Sequence, residues 1–283
     1  MDNGPDSGRL VGRRYQLLRL LGDGASGSVY EGRDQITNRR VAVKVLHPDL
    51  LDNEEHLARF FRETRAAQRI RHKGVVAFVG AGTTDDDRPY MVQEFLHGQN
   101  MEDALAAGTL QLPDVFEIAL QLLDALGAVH AVGLVHRDVK PANIFLLHDE
   151  FGGLHVKLVD FGIVTLNESS MELTADGRTV GTPQYMSPEQ ARAEDLDARA
   201  DVWSVGVVLF EALGGALPYD GVDPFDVLMQ IVQNEPPSLG MLREDLPPGL
   251  IEVVDRALTK DREARWRNAK EMAMALRRGV GLA

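Results

Sequence analysis

The sequence predicts an α+β protein of two unequal lobes: a small β-rich lobe with one main helix, followed by a larger α-rich lobe. Two observations predict it. Through the first hundred residues, short runs of alternating apolar residues are separated by turn residues, which is the pattern of strands. After His97-Gly98 the apolar period lengthens to that of helices. At 283 residues the chain can bury a core without staples, and it has no cysteine with which to make disulfides or thiolate metal sites.

Met1–Gly12 is polar and rich in Gly, Pro, Asp and Ser, so residues 1–12 are expected to be a flexible segment with no secretory signal. Tyr15–Leu21 reads as a strand running into Gly22-Asp23-Gly24-Ala25-Ser26-Gly27. Val29–Arg33 and Arg40–Leu46 read as strands joined by a turn at Asn38. Leu51–Ile70 is amphipathic and charged, and is expected to be the helix of the small lobe. Val75–Gly80 and Tyr90–Phe95 close the β-rich lobe, separated by the turn-rich Thr83–Arg88. In the second lobe, helical periods cover Val115–Val132, Val202–Leu213, Pro224–Gln233 and Leu250–Leu258. Two short strands, Ile144–Leu147 and Val156–Leu158, flank a turn at His148–Gly153. The expected division is therefore 13–96 and 97–279, the two lobes of one domain.

The net charge of −13 argues against a nucleic-acid binder or a ligand of anionic membranes, both of which need a basic surface. The most apolar stretch, near Val202–Leu213, is broken by Ser204, Gly206 and Glu211 and is shorter than the roughly 20 residues of a membrane span. A buried core helix explains it better. The absence of cysteine suits a reducing cytoplasm.

Four sites carry candidate chemistry. Gly22-x-Gly24-x-x-Gly27-x-Val29 lies between two strands, where glycines let backbone amides approach phosphate oxygens; alone, it could equally be an ordinary turn. In Val41-Ala42-Val43-Lys44 the alternation puts Ala42 and Lys44 on one face. That lysine could snorkel from an edge strand, but Glu63 on the following helix offers a carboxylate partner. His136-Arg137-Asp138-Val139-Lys140-Pro141-Ala142-Asn143 and Asp160-Phe161-Gly162 place two carboxylates and an amide oxygen near strand ends. Such a set suits Mg²⁺, a hard cation that takes oxygen ligands, although Asp, Asn and Gly also dominate turns.

The order of these sites removes the ambiguity. A glycine loop, strand lysine, helix glutamate, His-Arg-Asp loop, asparagine and Asp-Phe-Gly turn, in that sequence, resemble the eukaryotic-type serine/threonine protein kinase family, from about Tyr15 to Leu276. The resemblance implies a two-lobed protein-kinase-like fold with ATP between the lobes. By similarity, Gly22, Gly24 and Gly27 cover the phosphates, and Lys44 holds the α- and β-phosphates and pairs with Glu63. Asp160 and Asn143 hold Mg²⁺, for which Mn²⁺ can substitute. Asp138 orients the substrate hydroxyl and takes its proton, Lys140 steadies the γ-phosphate, and Thr182 contacts this catalytic pair. Adenine meets backbone groups at Glu94 and Leu96 between apolar walls from Leu21, Val29, Ala42 and Phe145, with Gln93 at the back. Lys140 and Thr182 fit the serine/threonine class. Met186-Ser187-Pro188-Glu189-Gln190 resembles bacterial members, with Ser187 in place of the usual alanine. The resemblance also implies a Glu189–Arg265 ion pair and an Asp201 that caps its helix and anchors the catalytic loop. Arg137 implies control by a phosphorylated loop, with Thr174 and Thr179 as the foremost sites among Thr165, Ser169 and Ser170.

The expected partner is a protein with a serine or threonine acceptor; a homodimer is compatible, nucleic acid and membrane insertion are not expected, and the location is cytoplasmic. Two other readings compete. A pseudokinase scaffold usually lacks the lysine or an aspartate that are present here. A small-molecule phosphotransferase would not need Gly181–Gln190, which shapes a peptide surface in protein kinases.

Overall fold

The computed structural model describes residues 4–24, 27–48, 61–62, 64–160 and 183–281. They fall into two compact units, the first built from the described residues up to 71 and from 76–97, the second from 72–75, 98–160 and 183–281.

The first unit is a six-stranded antiparallel sheet in the order β1-β2-β3-β4-β6-β5. Its strands are β1 (Leu10–Val11), β2 (Tyr15–Gly24), β3 (Gly27–Asp34), β4 (Arg40–Leu46), β5 (Phe78–Thr83) and β6 (Pro89–Glu94). One face is dry: Val11, Tyr15, Leu17, Tyr30, Val41, Val43, Val45, Tyr90 and Val92 pack as one cluster. The period of two that brings these residues together is the one legible in the sequence.

Residues 4–14 are not loosely attached as expected. Asp6, 7% exposed, accepts hydrogen bonds from Arg88 Nη1 and Nη2 at 3.0 and 2.6 Å and from Arg9 Nη1 at 2.9 Å. Gly8 N donates to Leu17 O, and Leu17 N to Arg9 O, both at 2.8 Å. A polar composition conceals such attachment, because the arginine that fixes Asp6 comes 82 residues later. β5 also begins later than expected, at Phe78 rather than Val75. Val75 instead bridges to Leu158 in the second unit, where Leu158 N also donates to Gly74 O at 2.8 Å.

The second unit combines a three-stranded sheet, β7 (Gln99–Asn100), β8 (Ile144–His148) and β9 (Leu154–Leu158), with seven named helices. These are α1 (Met101–Ala106), α2 (Leu112–Ala131), α3 (Pro188–Ala191), α4 (Ala198–Gly214), α5 (Pro224–Gln233), α6 (Pro248–Ala257) and α7 (Ala269–Gly279). α4 is its axis. Every residue from Ala200 to Phe210 is buried, so the stretch is apolar on all sides because protein surrounds it. It ends at Gly215 with φ 73°, the left-handed cap that glycine supplies without strain. Among the described residues no helix is long and apolar enough to cross a membrane.

Candidate active site

In the first unit the glycine turn is the tip of the β2–β3 hairpin, with Gly22 opposite Val29, Asp23 opposite Ser28 and Gly24 opposite Gly27. The glycines have different reasons to be there. At Gly27 (φ 153°) an added Cβ would lie 2.3 Å from Val45 O, so the fold itself demands glycine. At Gly22 an added Cβ would meet nothing within 4 Å, and at Gly24 only Gly27 O at 3.8 Å. Packing does not require those two positions to be bare, whereas close approach of a ligand would.

On β4, Val41, Val43 and Val45 point into the core, while Ala42 and Lys44 take the other face at intermediate exposure. The register sets Lys44 opposite Val29 and Met91, and Ala42 opposite Glu31 and Gln93. Val29, Ala42 and Lys44 thus share one face of the sheet, and Leu21, 41% exposed, lies at a register shift beside Gly22. Glu94 is fixed through Ala77: its N–H donates to Ala77 O at 2.9 Å and its Oε1 accepts from Ala77 N at 2.7 Å. Leu96 follows β6 and is half-buried. Glu63, Thr174, Thr179 and Thr182 lie outside the described residues.

In the second unit Asp138, Lys140 and Asn143 form one cluster. Asn143 Nδ2 donates to Asp138 Oδ2 and to Asp138 O, both at 2.8 Å, and Lys140 Nζ lies 3.0 Å from Asp138 Oδ1. Asp138 therefore has both carboxylate oxygens held while its side chain stays 28% exposed. Asp160 is tied to the same loop one residue upstream: Val159 N donates to Asn143 O, and His136 Nε2 donates to Val159 O, both at 3.0 Å. Phe145 follows on β8, half-buried beside the core residues Ile144 and Leu146.

Beneath the loop, fully buried Asp201 accepts from His136 N and Arg137 N at 2.8 Å each and from His130 Nε2 at 2.7 Å. The expected anchor is there, but the expected cap is not. Asp197 caps α4 by accepting from Arg199 N at 2.8 Å, and Asp201 lies one turn further in. Burial holds the His136 pKa below its usual value despite the nearby charges of Asp201, Asp138 and Asp160. A neutral imidazole with its proton on Nε2 leaves Nδ1 to accept from Asp138 N, at 3.4 Å. Positive φ, 71° at Arg137 and 53° at Asp160, puts strain beside one carboxylate residue and at the other, offset by these anchors. Replacing Asp201 with alanine is expected to strand two buried N–H groups and lower stability by about 2–4 kcal/mol, read in urea unfolding.

Two contacts were beyond sequence reasoning: Gln190 Nε2 donates to Arg137 O at 2.8 Å, and Tyr185 Oη donates to Glu211 Oε2 at 2.7 Å. Burial raises the pKa of both Tyr185 and Glu211, and at Glu211 the hydrogen bond from Tyr185 offsets part of that rise.

The donor set fits a magnesium ion. Asn143 turns its amide nitrogen to Asp138, which leaves its Oδ1 as a hard oxygen donor, and the carboxylate of Asp160 would be a second. Among the described residues no group of three His, Asp or Glu side chains forms a dedicated cage. Mg²⁺ needs none, since it is commonly held by one or two side chains plus phosphate oxygens and water.

The family model described as the protein kinase domain matches residues 15–275. A protein from Corynebacterium glutamicum named as the probable serine/threonine-protein kinase PknB is 36% identical over 278 residues, covering 95% of this chain and 42% of that protein. PrkC, a serine/threonine-protein kinase of Bacillus subtilis, is 34% identical over 266 residues, covering 94% of this chain and 40% of its own length. The chain thus spans about two fifths of the length of these curated relatives. The crystal structure of the Mycobacterium tuberculosis PknI kinase domain is similar with a TM-score of 0.77 at 27% identity, over 96% of this chain and 98% of that one.

Proposed function

This chain belongs to the protein kinase family, with bacterial serine/threonine kinases among its relatives, and from that premise we propose that it transfers the γ-phosphoryl group of ATP to serine or threonine hydroxyls of a protein. The observation that carries the proposal is the Asp138–Lys140–Asn143 cluster, a half-buried carboxylate fixed at both oxygens. In this reading Asp138 orients the acceptor hydroxyl and receives its proton. In the same reading Lys140 offsets charge on the γ-phosphate, and Thr182 supports the pair.

Asn143 and Asp160 would hold Mg²⁺, or Mn²⁺ in its place, and the ion would supply charge neutralisation on the phosphates. To the first unit the proposal assigns nucleotide binding. Gly22, Gly24 and Gly27 offer backbone amides to the phosphates, and Lys44, partnered by Glu63, offers its ammonium group. Glu94 and Leu96 offer backbone groups to adenine between Leu21, Val29 and Ala42. Phosphoryl transfer has a loose transition state with charge spread over the equatorial oxygens, so fixed cations and alignment account for its catalysis. The setting is cytoplasmic and a homodimer is compatible with it.

The test is ADP release in the presence of Mg-ATP and either a serine/threonine peptide library or a panel of small-molecule alcohols. Turnover with peptides alone is expected; turnover with the alcohols alone would replace the proposal by a metabolite kinase. The chain is also expected to phosphorylate itself within 160–189, foremost at Thr174 and Thr179, where a phosphate could pair with Arg137. Intact mass after incubation with Mg-ATP should show added phosphate that peptide mapping assigns to that segment.

A further inference from the structure

If the glycine turn covers phosphates, something must hold its tip, since Gly22 and Gly24 present no side chains to pack. Among the described residues two side-chain interactions hold it. Within the hairpin, Ser28 Oγ donates to Asp23 Oδ1 at 2.6 Å. From the residue that follows β4, the imidazole Nε2–H of His47 donates to the carbonyl oxygen of Gly24 at 2.9 Å and lies 3.4 Å from Asp23 Oδ1.

The register explains why His47 can reach. Gly27 pairs with Leu46, the last residue of β4, so the next residue in the chain emerges beside the turn. The same strand carries Lys44 three residues earlier. We propose that His47 is a positioning residue for nucleotide: it latches the glycine turn to the strand that bears Lys44, so that backbone amides and ammonium group keep a fixed spacing. This rests on the phosphate-binding reading of Lys44 and the glycine turn. The role needs a donor on Nε2, not a charge, and a glutamine amide can supply one.

His47 is 31% exposed and Asp23 60%, so water competes and the latch is modest. H47A is expected to raise KM for ATP about fivefold, equivalent to about 1 kcal/mol. kcat and KM for the protein acceptor should stay within about twofold, because the latch acts on nucleotide alone. H47Q is expected to recover most of the loss. Hydrogen exchange should quicken at the turn amides in H47A and be restored in H47Q, with the melting temperature of both variants near that of the parent.

Equal impairment in H47A and H47Q, or a KM for ATP unchanged in H47A, would overturn the latch. A parent with no ATP-dependent transfer would overturn the function proposed above instead. Hydrogen exchange would then decide the latch alone, unaltered turn amides in H47A refuting it and restored protection in H47Q sustaining it.

Discussion

The Asp138→Asn variant is expected to lose about 10²- to 10⁴-fold in the rate of phosphoryl transfer while binding Mg-ATP within about threefold of the parent. The reasoning is local. Asp138 accepts from Asn143 Nδ2 at 2.8 Å and pairs with Lys140 at 3.0 Å. Asparagine keeps the shape and one acceptor oxygen, so the loop stays anchored from beneath by Asp201 and His136. It loses the negative charge that takes up a proton from the acceptor hydroxyl. Single-turnover kinetics and calorimetric titration of nucleotide separate the two quantities. A rate within tenfold of the parent would remove Asp138 from the reaction.

The second large effect is on stability. Arg265, 1% exposed, donates from Nη1 to Glu189 Oε1 at 2.7 Å and from Nη2 to Oε2 at 2.9 Å. It also donates to the carbonyl oxygens of Thr259 at 2.7 Å and Lys260 at 3.0 Å, and its guanidinium lies 4.9 Å from the centre of the Trp203 ring. Arg265→Ala leaves a buried carboxylate without its cation, which costs about 3–5 kcal/mol and should lower Tm by roughly 10 °C for a unit of this size.

The same pair sets an acid limit. Burial alone would raise the Glu189 pKa, but the hydrogen bonds and charge of Arg265 outweigh it and hold the carboxyl below its usual value. A depressed carboxylate contributes stability above its unfolded pKa, about 4.3, and loses it as pH falls through the lower folded value. The parent should therefore lose stability more steeply than Arg265→Ala below about pH 4.3, a difference that thermal melts across that range would register.

The sequence makes the local chemistry legible and the long-range anchoring illegible. Strand β4 and helix α5 match their expected bounds because alternation and helical period are properties of contiguous residues. The order of Lys44, Asp138, Asn143 and Asp160 along the chain is legible by another route, because it carries the family resemblance. The anchor of the catalytic loop is different. Asp201 lies 65 residues from His136 and 71 from His130, and no spacing rule joins them. Without the family resemblance it would read as one more acid in the first turn of a helix. The clasp of Asp6 by Arg88 has the same character. Helix α7 is missed because its apolar stripe of Met272, Ala273 and Leu276 is thin among charged residues. The His47 latch follows from a register, Gly27 against Leu46, that the strand pattern alone does not determine.

Every residue role above rests on metal-dependent phosphoryl transfer from ATP to serine or threonine. Incubating the chain with γ-labelled ATP, Mg²⁺ and a generic protein substrate, then hydrolysing the product for phosphoamino-acid analysis, should place label on serine and threonine only when the metal is present. Label on tyrosine alone, or transfer undiminished by a metal chelator, would contradict it.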